Sequence, residues 1–502
     1  MSSSSSSLLL LILHHLRLCW NYLLSFVNSG NLNRSGGGNN TRIISLSNLF
    51  QSSSSQRKQL TFDNGTQVTI GEQIAEGGFS YVFEAFPVNS SSSTKKKYAL
   101  KRINCADQEL LQSCRHEAGI HRSLPSNHPN LLELLGLKFE QDLTSSSTSL
   151  VPEEYNVCYM LFPYLPNSLR GEITKRNILN QDDPNDGSNS NNHYYRNNNN
   201  TQRRQRQPFT TIEVMHLFRG ILDALLAMHN ANISHRDVKL ENVLLSPSSL
   251  STSYTDHHHR RHSKYTPILM DYGSAGPLTT PPLTTRHSIL NLIEVASTHT
   301  TFSYRPPELS DVGNLRPSSS CIVDYGKVDV WSLGCVLFGL LHGASPFEME
   351  FDKNDYGYGY RRSGTSKEGD QEQYGLVRIV ECTTLKILGE VPFPPWVGSG
   401  LGGNTNNNTH TNEDVGDGSN GKYPLAIYKF IRYMVQHDRM TRPNIYEVAK
   451  RFGELHLELM GEEWIPYSSS NGGGRMNSKV DGEEEEREHD DFDSLIASRD
   501  FV

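Results

Sequence analysis

The chain alternates between segments with a regular hydrophobic pattern and long polar stretches. Val68–Ile70 and Tyr81–Phe86 alternate apolar and polar residues around a glycine-containing bend, which predicts two paired β-strands. Tyr98–Ile103 and Val157–Pro163 predict two further strands, the second of them buried. Between these two strands, Glu109–Leu124 has the spacing of a helix. The first part of the patterned region is therefore rich in strands.

The later part is predicted to be mainly helical. Thr210 and Glu213 form the Thr-x-x-Glu capping box, which satisfies free amides at the start of a helix. Six apolar residues follow at helical spacing: Val214, Leu217, Phe218, Ile221, Leu222 and Leu225. Val330–Leu341 is apolar almost all round, as expected of a helix that is buried on every side. Val243–Leu245 and Pro267–Met270 predict two short strands between these helices.

Low-complexity sequence separates the patterned segments, and serine and asparagine runs of this kind cannot bury a core. We predict a low-complexity leader over residues 1–65, one domain over 66–465 and a disordered acidic tail over 466–502. Polar insertions are predicted within the domain near residues 170–208, 246–266, 352–373 and 398–422. The remaining residues suffice for an α+β fold, with a small, mainly antiparallel β lobe followed by a larger, mainly α lobe.

Composition limits the possible partners. The formal net charge is −8, and residues 480–502 alone carry ten acids and two bases. The rest of the chain is close to neutral, so we expect no nucleic-acid partner, which would require a concentrated basic face. The seven cysteines are dispersed without C-x-x-C spacing, which favours reduced thiols in an intracellular protein over disulfides or a zinc site.

The leader leaves membrane attachment open. Leu8–Leu13 is apolar, but His14, His15 and Arg17 interrupt it before it is long enough to span a bilayer. A signal peptide, a segment lying on a membrane surface, an organellar address and a leader without structure all stay open. Palmitoylation of Cys19 is a further alternative.

The strongest chemical signal is His235–Asn242, which matches the pattern H-R-D-x-x-x-x-N at every fixed position. Phosphoryl transfer requires a base near the acceptor hydroxyl, metal ions on the phosphates and accurate positioning. Asp237 is predicted to accept the proton, Asn242 to bind Mg²⁺, and Lys239 to contact the transferring phosphate. Acids and bases also cluster in ordinary polar loops, but this spacing between a helix and a strand favours catalysis.

A second motif, Asp271-Tyr272-Gly273, follows the predicted strand Pro267–Met270. A carboxylate at the end of a strand can bind magnesium, and the glycine allows the backbone to turn sharply. Asp271 is therefore predicted to be the second metal ligand. Asp-x-Gly by itself is a common turn, and tyrosine stands where phenylalanine is usual.

Lys101, on the predicted strand Tyr98–Ile103, is expected to hold the α and β phosphates of ATP. Glu117 on the following helix is its predicted ion-pair partner, with Glu109 as the competing candidate. Residues 75–82 are predicted to cover the phosphates, although alone they would more often be a hairpin turn. The residues assigned to this loop are Ala75, Glu76, Gly77, Gly78, Phe79, Ser80 and Val82.

The base of the nucleotide is predicted to bind at the end of Val157–Pro163. Pro163 has no amide hydrogen, so its carbonyl oxygen would accept from adenine while the Leu165 amide donates. Phe162 is the predicted gatekeeper, and Ala99 and Leu244 complete the predicted nucleotide-binding set. A simple core strand is the alternative.

Three further contacts are predicted to hold the site together. Thr301 would bridge Asp237 and Lys239 through its hydroxyl. Glu308 would form a buried pair with Arg442, and Asp329 would cap the catalytic loop. Ordinary surface salt bridges are the alternative, which the order of these residues along the chain disfavours.

With these motifs, residues Thr66–Trp464 resemble the eukaryotic protein kinases, apart from the insertions. The finer resemblance is to the Numb-associated kinases, a family with a myristoylated and palmitoylated member. Glu76–Ser80, Leu269–Ser274 and Asp329–Leu337 carry that resemblance. The family has an extra helix in its activation segment, and four residues here are spaced as one helical face: Ile289, Leu292, Ile293 and Ala296.

The resemblance implies a bilobal protein kinase fold, ATP and Mg²⁺ as cofactors, and serine or threonine hydroxyls of proteins as acceptors. Lys239 supports this acceptor class, since tyrosine kinases usually lack it, and disfavours dual specificity. A link to membrane trafficking is also implied, with a cytoplasmic monomer that associates with Golgi or vesicle membranes. Ser2 stands where myristoylation requires glycine, so lipid attachment is not implied. The alternative function is a pseudokinase scaffold, which the altered glycine loop and Tyr272 favour slightly.

Overall fold

The architecture is given by a computed structural model. It describes residues 58–77, 80–88, 96–105, 107–141, 157–178, 209–248, 264–352, 375–378, 382–393 and 423–467. These residues divide into two compact units, the first ending at Pro166 and the second beginning at Asn167.

The first unit contains an antiparallel sheet of six strands in the order β1-β2-β3-β4-β6-β5. Its strands are β1 (Gln59–Thr61), β2 (Gln67–Glu76), β3 (Ser80–Pro87), β4 (Tyr98–Asn104), β5 (Gly136–Glu140) and β6 (Val157–Pro163). Leu60, Val68, Leu100 and Leu161 are almost fully buried in one apolar cluster of this unit. The four predicted strands are present, and β6 has the predicted bounds.

Helix α1 (Gln108–Ser123) follows β4, close to the predicted bounds. The Asp107 side chain accepts a hydrogen bond from the amide of Leu110 and so caps the first turn. Leu111, Ala118 and Ile120 are buried on the apolar side of this helix. Glu117, also on α1, is buried although it is charged, which requires a partner.

Two described elements cross boundaries that were drawn from the sequence. Strand β1 lies inside the predicted leader 1–65, and its residue Leu60 and the neighbouring Phe62 are buried. Helix α2 (Leu169–Ile178) begins immediately before the predicted insertion 170–208 and occupies its first turns. A strand of three residues is too short to show a period, and α2 is too polar to show an apolar stripe.

The second unit is mainly helical. Its longer helices are α3 (Thr211–Asn230), α4 (Arg286–His299), α6 (Tyr325–His342), α8 (Leu425–Met434) and α9 (Ile445–Met460), and its short ones are α5 (Pro307–Ser310) and α7 (Thr384–Leu388). The predicted capping box of Thr210 and Glu213 is present at the start of α3. Helix α6 is buried over nearly its whole length, as predicted.

Rings from three helices of this unit pack together. The Phe218 ring on α3 lies 5.7 Å from that of Phe430 on α8 and 5.2 Å from that of Phe452 on α9, measured between centroids. Helix α3 also contacts α9, and α6 contacts both α8 and α9. The two central helices therefore form a rigid base for the loops that connect them.

Short strands flank the loops that connect the helices of the second unit. They are β7 (Asn167–Ser168), β8 (Ile233–Ser234), β9 (Val243–Pro247), β10 (Tyr265–Leu269), β11 (Gly276–Pro277), β12 (Met349–Asp352) and β13 (Gly375–Arg378). Strands β10, β9 and β7 form one antiparallel sheet, and β8 pairs with β11. In the β9–β10 hairpin Val243 lies opposite Leu269, so the residues before β9 and after β10 meet at the same end.

The described cysteines are free thiols, although Cys105 Sγ and Cys114 Sγ lie only 3.7 Å apart. Cys19 lies outside the described residues. Among the helices that the structure describes, none has the length and apolar character needed to cross a bilayer.

Candidate active site

The catalytic loop is held in a strained turn by one buried carboxylate. Arg236 has a φ of 66°, in the left-handed region that side-chain-bearing residues rarely adopt. Asp329, which is fully buried on α6, accepts hydrogen bonds from the backbone amides of His235 and Arg236 at 2.8 and 2.7 Å. His229 Nε2 donates to the same carboxylate at 2.9 Å. The predicted capping role of Asp329 is thus confirmed, whereas no spacing in the sequence singled out His229.

The Asp237 carboxylate is fixed from two sides. Its Oδ1 accepts hydrogen bonds from the Thr301 amide at 2.8 Å and from the Thr301 hydroxyl at 2.7 Å. Its Oδ2 accepts from Lys239 Nζ at 2.6 Å, and Lys239 also donates to the Thr301 hydroxyl oxygen at 2.8 Å. The predicted bridge through Thr301 is present. It joins the catalytic loop to the segment 301–308 that follows α4.

The charges of this cluster favour an ionised Asp237 beside a protonated Lys239. Burial alone would raise the pKa of Asp237, but Lys239 and the hydrogen bonds from Thr301 hold it below its usual range. Burial would likewise lower the pKa of Lys239, but the carboxylates of Asp237, Asp271 and Glu241 outweigh it and raise that pKa. A base that is already deprotonated can orient and accept an acceptor proton at neutral pH.

Asn242 and Asp271 are brought together by the β9–β10 hairpin. The amide of Met270 donates to the backbone carbonyl of Asn242 at 2.9 Å, so Asp271 follows directly after this contact. Asn242 Nδ2 donates to the Asp237 carbonyl oxygen at 2.9 Å and to Asp237 Oδ2 at 3.3 Å. This orientation leaves the amide oxygen on the other side, which is the Asn atom that Mg²⁺ uses.

Asp271 is also strained, with a φ of 68° and a ψ of 75°. The following residue explains how tyrosine is accommodated. Tyr272 is fully buried, its hydroxyl donates to the Leu269 carbonyl oxygen at 2.9 Å, and its ring meets that of His235 edge to face. The extra hydroxyl thus has a hydrogen-bond acceptor inside the core, so the tyrosine does not by itself disturb the motif.

His235 links the two motifs. Its Nε2 donates to the Met270 carbonyl oxygen at 3.1 Å, while its Nδ1 accepts from the Asp237 amide at 3.3 Å. These two bonds require a neutral ring with the proton on Nε2. The first residue of the H-R-D motif therefore orients both Asp237 and the strand end that carries Asp271.

The Arg236 side chain braces the loop. Its Nη2 donates to the Pro277 carbonyl oxygen at 2.7 Å and its Nε to the Ser234 hydroxyl at 3.2 Å. Its guanidinium lies 3.9 Å from the centroid of the Tyr325 ring. A side chain at Gly276 would collide with this guanidinium, because an added Cβ would lie 2.7 Å from it. No sequence pattern pointed to Tyr325 or Gly276.

In the first unit, the predicted ion pair of Lys101 and Glu117 is present. Lys101 Nζ lies 2.7 and 2.9 Å from the two carboxylate oxygens of Glu117, which settles the competition with Glu109. Lys101 lies on β4 opposite Val82 of β3, and Ala99 lies two residues earlier on the same face. These residues form one surface of the sheet with a fixed cation on it.

The remaining predicted nucleotide contacts are placed as follows. Ala75 and Glu76 are exposed at the end of β2, and the Gly77 amide donates to the Ser80 carbonyl oxygen at 2.7 Å. Gly78 and Phe79 lie outside the described residues. Pro163 ends β6 and Leu165 follows it, both partly exposed, while Leu244 lies on β9 of the second unit. Their contacts with a nucleotide stay predictions.

Helix α4 orders the segment between Asp271 and Glu308. Its predicted face, Ile289, Leu292 and Ala296, is buried against residues that include Leu309 and Val328, with Ile293 partly buried beside them. Glu308 and Arg442 form the predicted buried pair, with oxygen–nitrogen distances of 2.6 and 3.0 Å. This bidentate geometry is the strongest that an arginine and a carboxylate can form.

The donor set suits Mg²⁺ bound together with a phosphate ligand. Asp271 and Asn242 offer one carboxylate and one amide oxygen, and Mg²⁺ at phosphate sites usually has one or two protein ligands. Within the described ranges, no group of three or more His, Cys, Asp and Glu side chains could hold a metal ion by itself. The residues present therefore fit an ion that takes its other ligands from phosphate oxygens and water.

Comparison with known proteins agrees with this site. The protein kinase domain family matches residues 68–451. Human serine/threonine-protein kinase 16 is 28% identical over 304 residues, which cover 60% of this chain and 77% of that protein. A probable serine/threonine-protein kinase of Dictyostelium discoideum is 26% identical over 402 residues. The match covers 80% of this chain but only 25% of the Dictyostelium protein.

The chain belongs to the protein kinase domain family. The strand-rich first unit and the helical second unit are the two parts that this family combines in a bilobal fold. The family and its relatives support serine/threonine protein kinase activity, with ATP as the phosphoryl donor. The sequence has the expected residue type at the five positions predicted for catalysis and for binding of ATP and Mg²⁺, which favours an enzyme over a scaffold: Lys101, Glu117, Asp237, Asn242 and Asp271.

Proposed function

We propose that this chain transfers the γ-phosphoryl group of ATP to serine or threonine hydroxyls of proteins through the residues described above. Asp237 orients the acceptor hydroxyl and accepts its proton, and Lys239 contacts the phosphoryl group that moves. Lys101, held by Glu117, binds the phosphates, while Asn242 and Asp271 would hold Mg²⁺. Bound Mg²⁺ neutralises charge on the phosphates.

The observation that carries this proposal is the set of three hydrogen bonds that the Asp237 carboxylate accepts from Thr301 and Lys239. A carboxylate that Thr301 and Lys239 hold at 2.6–2.8 Å is already in a single orientation. Such preorganisation removes the cost of arranging the base during the reaction. A scaffold would have no need for an ionised carboxylate held in one orientation at this point.

A phosphotransfer assay with mass-spectrometric site mapping tests the proposal. Asp237→Asn should lower the rate by about 10²–10⁴-fold, because an amide cannot accept the proton. Asp438→Asn, an exposed substitution of the same kind, is the control and should keep the wild-type rate. Equal labelling by wild type and Asp237→Asn would contradict the enzyme and favour the scaffold.

We further propose that the activation segment is ordered without phosphorylation. Helix α4 is packed in the core, and the Arg236 guanidinium already has two acceptors and an aromatic ring. Phosphatase-treated protein should therefore keep its full rate. Strict dependence on an upstream kinase would contradict this.

The finer assignment to the Numb-associated kinases is also a proposal, supported by the motif stretches and by α4. A role in membrane trafficking, a cytoplasmic or Golgi-associated location and a monomeric state depend on this resemblance alone. Fluorescence microscopy of the tagged full chain tests the location. A tag found only in the nucleus would contradict it.

A further inference from the structure

A buried arginine follows closely after Thr301, the residue that bonds to Asp237. Arg305 is 6% exposed. Its Nε donates to the Thr300 hydroxyl oxygen at 2.6 Å, and its Nη2 donates to the Thr300 carbonyl oxygen at 2.7 Å. Its guanidinium also lies 5.3 Å from the centroid of the Phe302 ring. The Arg305 side chain therefore folds back onto the start of its own segment and holds Thr300 at two points.

Both of these acceptors are neutral, although the guanidinium of Arg305 is charged. Burial lowers the pKa of Arg305 to about 10, while the Asp237 carboxylate acts in the opposite direction. A buried cation that is bonded to neutral oxygens costs stability, and an apolar side chain of similar size is often as stable at such a site. Stability alone therefore gives little reason for a cation here, so its use lies in the group that it holds.

Thr300 connects helix α4 to the catalytic base. Its hydroxyl donates to the Ala296 carbonyl oxygen near the end of α4 at 2.7 Å, and its amide donates to the same oxygen at 3.0 Å. Ala296 belongs to the buried face of α4. The next residue, Thr301, donates from its amide to Asp237 Oδ1 at 2.8 Å. The residue that Arg305 holds thus lies between a packed helix and the base.

A single peptide unit carries the contacts to both Arg305 and Asp237. The Thr300 carbonyl and the Thr301 amide belong to this unit, which is planar, so the orientation of one sets the orientation of the other. Arg305 Nη2 bonds to its oxygen, and Asp237 Oδ1 bonds to its N–H. Hydrogen bonds in such a chain polarise one another, and a charged donor at the oxygen makes the N–H a stronger donor.

We propose that Arg305 is a positioning residue for phosphoryl transfer: its guanidinium fixes the peptide unit between Thr300 and Thr301 and so aims the Thr301 amide at Asp237. Arg305 acts on the base through this unit and takes no proton itself. The inference rests on the proposed kinase activity. Loss of the guanidinium should let the peptide unit turn, which removes one donor from Asp237 Oδ1 and leaves the carboxylate less well oriented for the acceptor hydroxyl.

Steady-state kinetics of Arg305→Met test the proposal first. Methionine is flexible and has no donor, so it should keep the buried site packed. We expect kcat to fall at least about tenfold, because a charge-assisted contact of the base is weakened. The KM for ATP should stay within about twofold of wild type, because the change acts on the base and not on the predicted ATP contacts.

Two matched variants accompany Arg305→Met. Arg305→Lys keeps a charged donor and should recover kcat to within about threefold of wild type. Arg316→Met makes the same change at an exposed arginine and should keep the wild-type kcat and KM. A merely structural role of Arg305 would instead change kcat and the KM for ATP together.

Hydrogen exchange of the Thr301 amide reports on the contact without any turnover. In protein with isotope-labelled threonine, NMR should show this amide exchanging at least about tenfold faster in Arg305→Met than in wild type. The Thr298 amide within α4 is the internal reference and should exchange at the same rate in both proteins. Because no substrate is present, a failure of the kinase activity is distinguished from a failure of this inference.

Three results would overturn the inference. The first is a folded Arg305→Met protein whose Thr301 amide exchanges as slowly as in wild type. The second is a kcat within about threefold of wild type in that variant. The third is a fall in kcat matched by an equal rise in the KM for ATP, which would indicate general loosening of the fold.

If Arg305→Met does not fold, Arg305→Gln decides. Glutamine keeps one neutral donor and removes the buried charge. Because a neutral donor is weaker than a charged one, the Thr301 amide should exchange at least about threefold faster and kcat should be at least about threefold lower than in wild type. Wild-type values for both would contradict the role of the guanidinium.

Discussion

Replacing Asp329 with asparagine tests whether one buried carboxylate holds the catalytic loop in its strained turn. Asp329 accepts three hydrogen bonds, from the amides of His235 and Arg236 and from His229, at 2.7–2.9 Å. Asparagine has the same shape but offers one acceptor oxygen and one NH₂ group, which donates. At least one of these donors would then face another donor.

The expected loss of stability in Asp329→Asn follows from these contacts. A buried amide without a partner costs about 1–3 kcal/mol, and bonds to a neutral oxygen are weaker than bonds to a carboxylate. The left-handed turn at Arg236 adds about 1–2 kcal/mol of strain that the intact network offsets. We expect Asp329→Asn to lower the free energy of unfolding by about 2–4 kcal/mol. If relaxation of the loop raises the activation free energy by about 1.4 kcal/mol, kcat should fall about tenfold.

Urea unfolding followed by tryptophan fluorescence measures the free energy of unfolding, and initial rates at saturating ATP measure kcat. Asp324→Asn is the control, because Asp324 caps the same helix α6 by accepting from the Lys327 amide. Asparagine caps a helix as well as aspartate does, so this control should change neither quantity. The reasoning would be refuted if Asp329→Asn had a free energy of unfolding within about 0.5 kcal/mol of wild type and a kcat within about twofold of it.

Three other substitutions probe the core. Tyr272→Phe removes the hydroxyl that donates to Leu269 and should cost about 1 kcal/mol in urea unfolding; no loss would mean that the hydroxyl is not bonded there. Arg442→Met leaves Glu308 charged and buried without its partner and should cost about 3–5 kcal/mol, less if Glu308→Gln is added; equal costs would contradict a specific pair. Burial raises the pKa of Asp223 to about 6, so wild type should lose stability as pH rises from about 4 to 6. Asp223→Asn should then be roughly 1–3 kcal/mol more stable than wild type at pH 7, with no difference at pH 4, and a constant difference would contradict the shifted pKa.

Sequence reasoning found the parts of the site that are encoded by spacing. The contacts of Asp237 with Lys239 and Thr301, and those of Glu308 with Arg442, follow from motifs whose order along the chain is characteristic. The capping box of α3 and the buried face of α4 follow from periodicity. In each case the spacing of residue types along the chain is enough to predict the contact.

The contacts that were not predicted join residues that no sequence motif or regular spacing links. Arg170 and Glu241 are separated by 71 residues, and Arg170 lies in a stretch that reads as a polar insertion. The Tyr325 ring under Arg236 likewise belongs to a helix whose apolar character predicts burial but no specific partner. Strand β1, inside the predicted leader, has three residues, which are too few to show a period. Such contacts depend on the assembled fold.

The strained backbone at the site is held in place by contacts with buried residues. Arg236 and Asp271 are both non-glycine residues with positive φ. Arg236 precedes the predicted base Asp237, and Asp271 is itself a predicted metal ligand. Positive φ at such residues persists only where neighbouring contacts determine it fully. Here those contacts come from Asp329 on the buried helix α6 and from the His235 bond to Met270 at the end of β10. The catalytic geometry therefore depends less on the loop sequence than on the buried elements beneath it, and a substitution in α6 should damage activity before it unfolds the protein.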